Sequence, residues 1–326
     1  MSCSSTLGLS RLASSAAVRG RGQQRRWMSV RPKEEGDNSI QKTEKVTIHT
    51  LQTMRAAKVP ISMLTAYDYP TGLSCSSNPA IDVTLVGDSL AQVCLGYKST
   101  TQLTLDEMIH HARAVARGTT HPLLVADMPF GSYHGSLDDA VNNAVRMVRE
   151  SQIEAVKLEG GDEIVDLVHR LTSAGIPVMA HVGLLPQRHV SFSGYKVQGK
   201  SVASAKAMVK TSKLLEQAGA FSMVVEAVPK ELGRYITENV TIPTIGIGAG
   251  PWTNGQVLVW DDAMGTWLGH KAKFVRRFAN LQTAREIGVQ SYASAVKDGS
   301  FPDPQRESYT IDKAEFARFL EAMEKE

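Results

Sequence analysis

Cysteine is scarce in this 326-residue chain: Cys3, Cys75 and Cys94 are all there is. They are too few and too irregularly spaced for a disulfide framework or a structural zinc site, and they suit a reducing compartment. Long apolar runs are missing too, none approaching the roughly 20 residues of a membrane-crossing helix. No internal repeat is visible, which sets aside solenoids and propellers. Acids are absent before Glu34, while Arg11, Arg19, Arg21, Arg25, Arg26 and Arg31 stand among serines. An arginine- and serine-rich, acid-free start is the composition of an organelle transit peptide. Residues 1–30 are therefore expected to be a disordered leader addressing the mitochondrial matrix, the alternative being a basic tail without an address. Residues 31–43 are expected to be a polar linker and 44–326 one catalytic domain. Cleavage near Trp27-Met28-Ser29 would remove five arginines and no acid, turning the formal charge of +3 negative. The mild basicity thus belongs to the leader, and no nucleic-acid footprint remains. With 42% hydrophobic and 21% charged residues, what is left has the composition of a globular enzyme.

What is present is a series of short apolar runs ending on acids or bases. Leu85-Val86-Gly87-Asp88, Leu124-Val125-Ala126-Asp127, Val156-Lys157-Leu158-Glu159 and Met223-Val224-Val225-Glu226 end on carboxylates, and Pro177-Val178-Met179-Ala180-His181 ends on an imidazole. Ionised carboxylates are costly to bury without a positive partner, so folding alone gives no reason for the repetition. Strands are expected at 61–66, 83–87, 123–126, 155–158, 177–180, 221–225, 243–247 and 256–260, separated by helical patterns. Thr104 with Glu107 forms a capping box before Leu105–Arg117, and Ser136 precedes a second amphipathic run to Glu150. Two further helices are expected at 164–174 and 201–218, each ending before a glycine. Eight short strands alternating with helices predict an α/β fold of the (βα)8 or TIM barrel type, whose strand ends share one mouth. The segment between Ile247 and Gln256 is too short for a crossover helix. Residues 263–326 are expected to add helices that wrap the barrel.

At such a mouth Asp88 and Asp127, with a third acid, suit a hard divalent cation such as Mg²⁺, which takes oxygen ligands and keeps several waters. Each taken singly also reads as a loop or helix cap. Lys157 and Glu159 are two apart on one strand and share a face. They read either as an anion-holding lysine beside a metal-facing acid or as a structural ion pair. Glu226 closes an apolar run, a setting that suits a general base for a weakly acidic C–H, or else it is a salt-bridged strand end. His181 is a candidate donor to a substrate oxygen, or a satisfied structural histidine. Gly246-Ile247-Gly248-Ala249-Gly250 lacks the third glycine spacing and following helix of a dinucleotide fingerprint, and fits close backbone approach at the mouth. The stretch from Tyr195 to Lys200 reads as a lid, an anion contact or a solvated loop.

Seven motifs occur in order: Val86-Gly87-Asp88-Ser89-Leu90, Ala126-Asp127-Met128-Pro129-Phe130, Val156-Lys157-Leu158-Glu159-Gly160-Gly161, His181-Val182-Gly183-Leu184, Gly194-Tyr195-Lys196-Val197-Gln198-Gly199, Glu226-Ala227-Val228-Pro229 and the glycine run at 246–250. Together they resemble the ketopantoate hydroxymethyltransferase family over roughly 46–302. The resemblance implies a homo-oligomer, commonly a decamer. It also implies transfer of a one-carbon unit from 5,10-methylenetetrahydrofolate to 3-methyl-2-oxobutanoate in pantothenate and coenzyme A synthesis. It implies Mg²⁺ on Asp88, Asp127 and Glu159, keto-acid contacts from Asp88, Ser89, Asp127 and Lys157, and Glu226 as proton acceptor. Asn78-Pro79, which should end a helix early, Ser193 and the stretch 253–270 depart from the family pattern. Two rivals remain in view: a Mg²⁺-dependent C–C lyase of the phosphoenolpyruvate mutase and isocitrate lyase type, and a non-catalytic barrel that binds keto acids.

Overall fold

The computed structural model of the protein describes residues 44–325, so the leader and linker expected before residue 44 lie outside it. Eight parallel strands close a barrel in sequence order: β1 Ile61–Thr65, β2 Val83–Val86, β3 Leu123–Asp127, β4 Ala155–Glu159, β5 Val178–Gly183, β6 Ser222–Glu226, β7 Thr244–Ile247 and β8 Gly255–Leu258. Three strands run one residue past their expected ends. Asp127, Glu159 and Glu226 are thus the last paired residues of β3, β4 and β6 rather than the first loop residues.

Period-two alternation divides each strand between two cores. Met63, Leu85, Val125, Ala155, Met179 and Val224 point inward and fill the barrel. Their sequence neighbours Val86, Ala126, Val156, Ala180 and Val225 point outward against the helices. Burial on both faces explains why these strands are apolar throughout rather than alternating. The first helix, α1 (Ile48–Ala56), contributes Leu51 to the inner core together with Val46 and Phe221, which closes the end opposite the mouth.

Among the covering helices, α2 (Tyr69–Ser76) ends just before Asn78-Pro79, as that dipeptide requires. It packs on α4 (Leu105–Gly118) so closely that a Cβ on Gly72 would stand 2.8 Å from the Val115 carbonyl oxygen. The capping box of Thr104 and Glu107 forms, and α4 buries Met108, Ile109, Ala112 and Val115 against the sheet. α3 (Leu90–Val93) is a single turn after β2, and α5 (Leu137–Ser151) is capped by Ser136. α6 (Val165–Ser173), α7 (Val202–Gln217) and α8 (Lys230–Asn239) complete the ring as far as β7. No helix joins β7 to β8, and the one after β8, α9 (Trp260–Met264), is only five residues long.

The last two helices, α10 (Leu281–Asp298) and α11 (Lys313–Met323), correct an expectation. They form, but neither has a buried residue, so they do not wrap the barrel. Their apolar groups, Ile287, Val289, Tyr292, Phe316 and Phe319 among them, stay exposed because nothing in the described residues lies over them. No helix among the described residues is long and apolar enough to cross a membrane.

Candidate active site

From β3 to β6 the inward rows do not stop at the hydrophobic core; each runs on into a polar residue at the mouth. Val125 is followed on its face by Asp127, Ala155 by Lys157 and Glu159, Met179 by His181 and Val224 by Glu226. Strand register then decides who meets whom. Asp127 is paired with Lys157 across β3 and β4, Glu159 with His181 across β4 and β5, and Gly183 with Glu226 across β5 and β6. Asp88 and Ser89 enter from the turn after β2. All seven of these polar side chains line one cavity of about 200 Å³.

Asp88, Asp127, Lys157, Glu159 and His181 are each at most 5% exposed, so their charges must be settled locally. Lys157 Nζ stands 3.0 Å from Asp127 Oδ1 and 3.1 Å from His181 Nδ1. Burial pulls the Lys157 pKa down, but Asp127, Glu159 and Asp88 outweigh it and hold the ammonium charged. Asp127 Oδ2 accepts the Asp88 N–H at 3.0 Å. Its Oδ1 meets Lys157 as an ionic contact outside hydrogen-bond geometry and is buried with no hydrogen-bond partner among the described residues. The Asp88 carboxyl is pushed well above the usual range by burial first and then by Asp127 and Glu159. Three acids against one lysine call for a further cation.

His181 spans two carboxylates. Nδ1 lies 3.4 Å from Glu159 Oε1 and Nε2 lies 3.1 Å from Glu226 Oε2. Burial and Lys157 lower its pKa, while the two glutamates raise it, and the sum is upward. With the Lys157 ammonium donating to Nδ1, the ring carries its hydrogen on Nε2, on the side of Glu226. Glu159 is held below the ordinary carboxylate range: burial opposes this, but His181, Lys157 and the Gln187 N–H prevail. Glu226 is therefore not walled by apolar groups alone, as its sequence context suggested, but leans on His181.

Gln187 is the site residue that strand reasoning misses, because it sits in a single 3₁₀ turn after β5. Its side chain is buried and its Nε2 donates to Asp88 Oδ2 at 2.9 Å and to Met128 O at 3.0 Å. Its backbone N–H donates to Glu159 Oε2 at 3.1 Å, and Tyr133 OH donates to its Oε1 at 2.6 Å. One residue thus aims two acids, Asp88 by its side-chain amide and Glu159 by its backbone N–H. Only the polar residue directly after Leu184-Leu185-Pro186 hinted at it. Tyr195, from the loop left open as a lid, an anion contact or a solvated loop, also lines the cavity.

The backbone at the base is equally specified. Gly183 has φ +98°, and a Cβ there would overlap the Glu226 carbonyl oxygen. Ala227, directly after Glu226, sits at φ +46°, a left-handed conformation that costs a non-glycine residue on the order of 1 kcal/mol. At the far side of the mouth Gly248 (φ +65°) lies against Phe274, the close approach expected of the glycine run.

Asp88 and Asp127 fit a hard cation: they are buried, adjacent, in excess of positive charge, and one carries a buried oxygen with no hydrogen-bond partner among the described residues. No group of three His, Cys, Asp or Glu side chains among the described residues is arranged to hold an ion. The expected third acid, Glu159, is taken up by His181 and Gln187 instead.

A family model described as ketopantoate hydroxymethyltransferase matches residues 45–304. A curated protein of Thermoanaerobacter sp. (strain X514), called 3-methyl-2-oxobutanoate hydroxymethyltransferase, is 46% identical over 83% of this chain and 98% of its own length. The protein of the same name from Heliobacterium modesticaldum is 48% identical over 82% of this chain and 97% of its own. Among solved structures, phosphonopyruvate hydrolase with oxalate and Mg²⁺ superposes with TM-score 0.52 at 12% identity, covering 85% of this chain and 96% of that one. A 2,3-dimethylmalate lyase of the phosphoenolpyruvate mutase and isocitrate lyase superfamily does so with TM-score 0.51 at 14% identity, covering 85% and 98%. At these identities the likeness is one of fold.

Proposed function

The chain belongs to the ketopantoate hydroxymethyltransferase family, and from that premise we propose how its residues divide the work. It is a hydroxymethyltransferase that converts 3-methyl-2-oxobutanoate to 2-dehydropantoate in pantothenate synthesis, with 5,10-methylenetetrahydrofolate as the proposed one-carbon donor. The observation that carries this reading is the convergence of five successive strand ends on one cavity, with Glu226 opposite a cationic and acid-rich wall. Production of 2-dehydropantoate from the two substrates by the purified protein tests it directly.

The reaction requires a C3–H bond to break, a C3–CH₂ bond to form, and water to supply the hydroxyl as the folate nitrogen leaves. Glu226 accepts the C3 proton. Negative charge then accumulates on the keto oxygen, where Lys157 supplies fixed positive charge and His181 a ring N–H donor without rearranging, the form of stabilisation that contributes most in a dry site. Lys157 and Ser89 hold the substrate carboxylate. Asp88 and Asp127 would hold Mg²⁺, with Glu159 reaching it through water. Bound there, the ion supplies a Lewis acid for the keto oxygen. The cavity is smaller than the roughly 300–1,000 Å³ usual for drug-sized ligands, so the keto acid fits inside and the folate must lie across its open mouth, past Tyr195 and Phe274.

The lyase reading has fold likeness behind it but not chemistry. A reactive thiol is a low-pKa thiol, whereas the Cys94 thiol is pushed up to about 12 by partial burial and then by Asp261 and Asp68. A merely keto-acid-binding barrel has no use for Glu226.

Residues 44–326 act as one catalytic domain in this reading, assembled as a homo-oligomer and commonly a decamer. The exposed apolar groups of α10 and α11 support assembly. Targeting of residues 1–30 to the mitochondrial matrix rests on their composition alone, and the relatives above, which are bacterial, add nothing to it.

A further inference from the structure

A chain of hydroxyls runs behind the cavity, from the start of α9 to Ser89. The Trp260 N–H donates to Thr65 Oγ1 at 2.7 Å. Thr65 Oγ1 donates to Tyr67 OH at 2.7 Å, and Tyr67 OH lies 2.8 Å from Ser89 Oγ. Thr65 and Tyr67 are both buried; Thr65 and Ser89 line the cavity, and Tyr67 lies behind them. Tyr67 is fixed by its backbone as well, its N–H donating to Thr71 Oγ1 at 2.9 Å and its carbonyl lying 2.6 Å from His111 Nδ1.

The direction of this chain follows from its first member. A backbone N–H can only donate, so Thr65 accepts at that end, and its own hydrogen goes to Tyr67, the one acceptor its hydroxyl has among the described residues. Among the described residues the Tyr67 hydroxyl has only Thr65 and Ser89 as partners. With Thr65 donating to it, its hydrogen goes to Ser89. If Ser89 donated instead, the Tyr67 hydrogen would be buried with no acceptor, at a cost of about 1–3 kcal/mol. Ser89 therefore accepts on the protein side and has its own O–H left for the cavity.

We propose that Thr65 and Tyr67 are positioning residues that fix Ser89 as a hydrogen-bond donor toward the substrate carboxylate. The inference rests on the keto-acid reading of the site. It leaves the Ser89 O–H free to donate there, matched to a carboxylate or keto oxygen. Burial pushes the Tyr67 pKa well up, so the phenol keeps the proton the chain needs.

The test is binding of 3-methyl-2-oxobutanoate by calorimetry in the presence of Mg²⁺, with KM and kcat measured separately for both substrates. Tyr67→Phe and Thr65→Val should each raise Kd and KM for the keto acid about five- to ten-fold, the scale of one hydrogen bond. KM for the folate donor should stay within about two-fold. Thr65→Ser, which retains the hydroxyl, should restore keto-acid affinity. Tyr67→Phe combined with Ser89→Ala should be no worse than Ser89→Ala alone, because the chain acts only through Ser89. Additive losses in the double variant, or equal losses for both substrates, would overturn the relay, as would full affinity in Tyr67→Phe. Wild-type protein that binds no keto acid would overturn the reading of the site itself, a result distinct from any of these. Should Tyr67→Phe fail to fold, Thr65→Val against Thr65→Ser decides alone.

Discussion

Lys157 and Asp127 are register partners on adjacent strands, and their Nζ and Oδ1 stand 3.0 Å apart with neither side chain more than 5% exposed. The barrel places them there: in a parallel pair, residues in register share a face, and this face is the mouth. Removing the lysine leaves Asp88, Asp127 and Glu159 buried together. Lys157→Met should destabilise the protein by about 3–5 kcal/mol, the range for breaking a buried ion pair. Chemical denaturation without divalent ions measures this, and added Mg²⁺ should return part of the loss by binding the folded state.

Gln187 makes a second prediction. Its amide orients Asp88 while Tyr133 orients the amide. Gln187→Leu keeps the bulk and removes the donor, so Mg²⁺ affinity should fall about 10–100-fold. Titration calorimetry reads this directly. An unchanged affinity would mean that Asp88 is aimed by its own backbone alone.

Gly183 bears on the base. Gly183→Ala forces a Cβ onto the Glu226 backbone at φ +98°. Displacing Glu226 by about 1 Å should lower kcat on the order of 100-fold. Keto-acid Kd should change far less, because Ser89, Lys157 and the aspartates lie on other elements.

Glu107 gives a pH dependence remote from the site. Its carboxylate accepts from Tyr97 OH at 2.5 Å and from both the N–H and the hydroxyl of Thr104 at 2.8 Å. These bonds, Tyr97's foremost, hold its pKa below the ordinary glutamate range. A depressed folded-state pKa contributes stability above the ordinary value, and that contribution is lost as pH falls through the depressed one. Wild type should therefore be more stable than Glu107→Gln at neutral pH, with the gap closing in that acidic window. Urea unfolding across pH 2–7 checks the convergence, the window following from about 4.3 for a free glutamate.

The inward rows were legible because a period of two is written in the residues themselves: Leu123, Val125 and Asp127 had to share a face. That eight such rows close on each other followed from the number and spacing of the strands. Gln187 and Tyr67 were not legible, because each reaches the site from a turn whose path depends on the closed barrel. Spacing within one strand does not encode which turn arrives beside it. That helices follow residue 263 was legible in the sequence, and they form at 281–298 and 313–323. Their docking was not, since an apolar stripe shows that a partner is needed without saying which chain supplies it. Ala227 carried no signal at all: its left-handed backbone is imposed by the Ile247 and Gln198 hydrogen bonds that hold it.

The central claim is that Glu226 takes the C3 proton from a keto acid held at this mouth. The most direct measurement is deuterium exchange at C3 of 3-methyl-2-oxobutanoate in D₂O, followed by NMR with Mg²⁺ and tetrahydrofolate present. Wild type should exchange the C3 hydrogen, and Glu226→Gln, folded and still binding the keto acid, should not. Exchange at the wild-type rate in Glu226→Gln would contradict the assignment of the base, and no exchange by wild type would contradict the proposed enolisation itself.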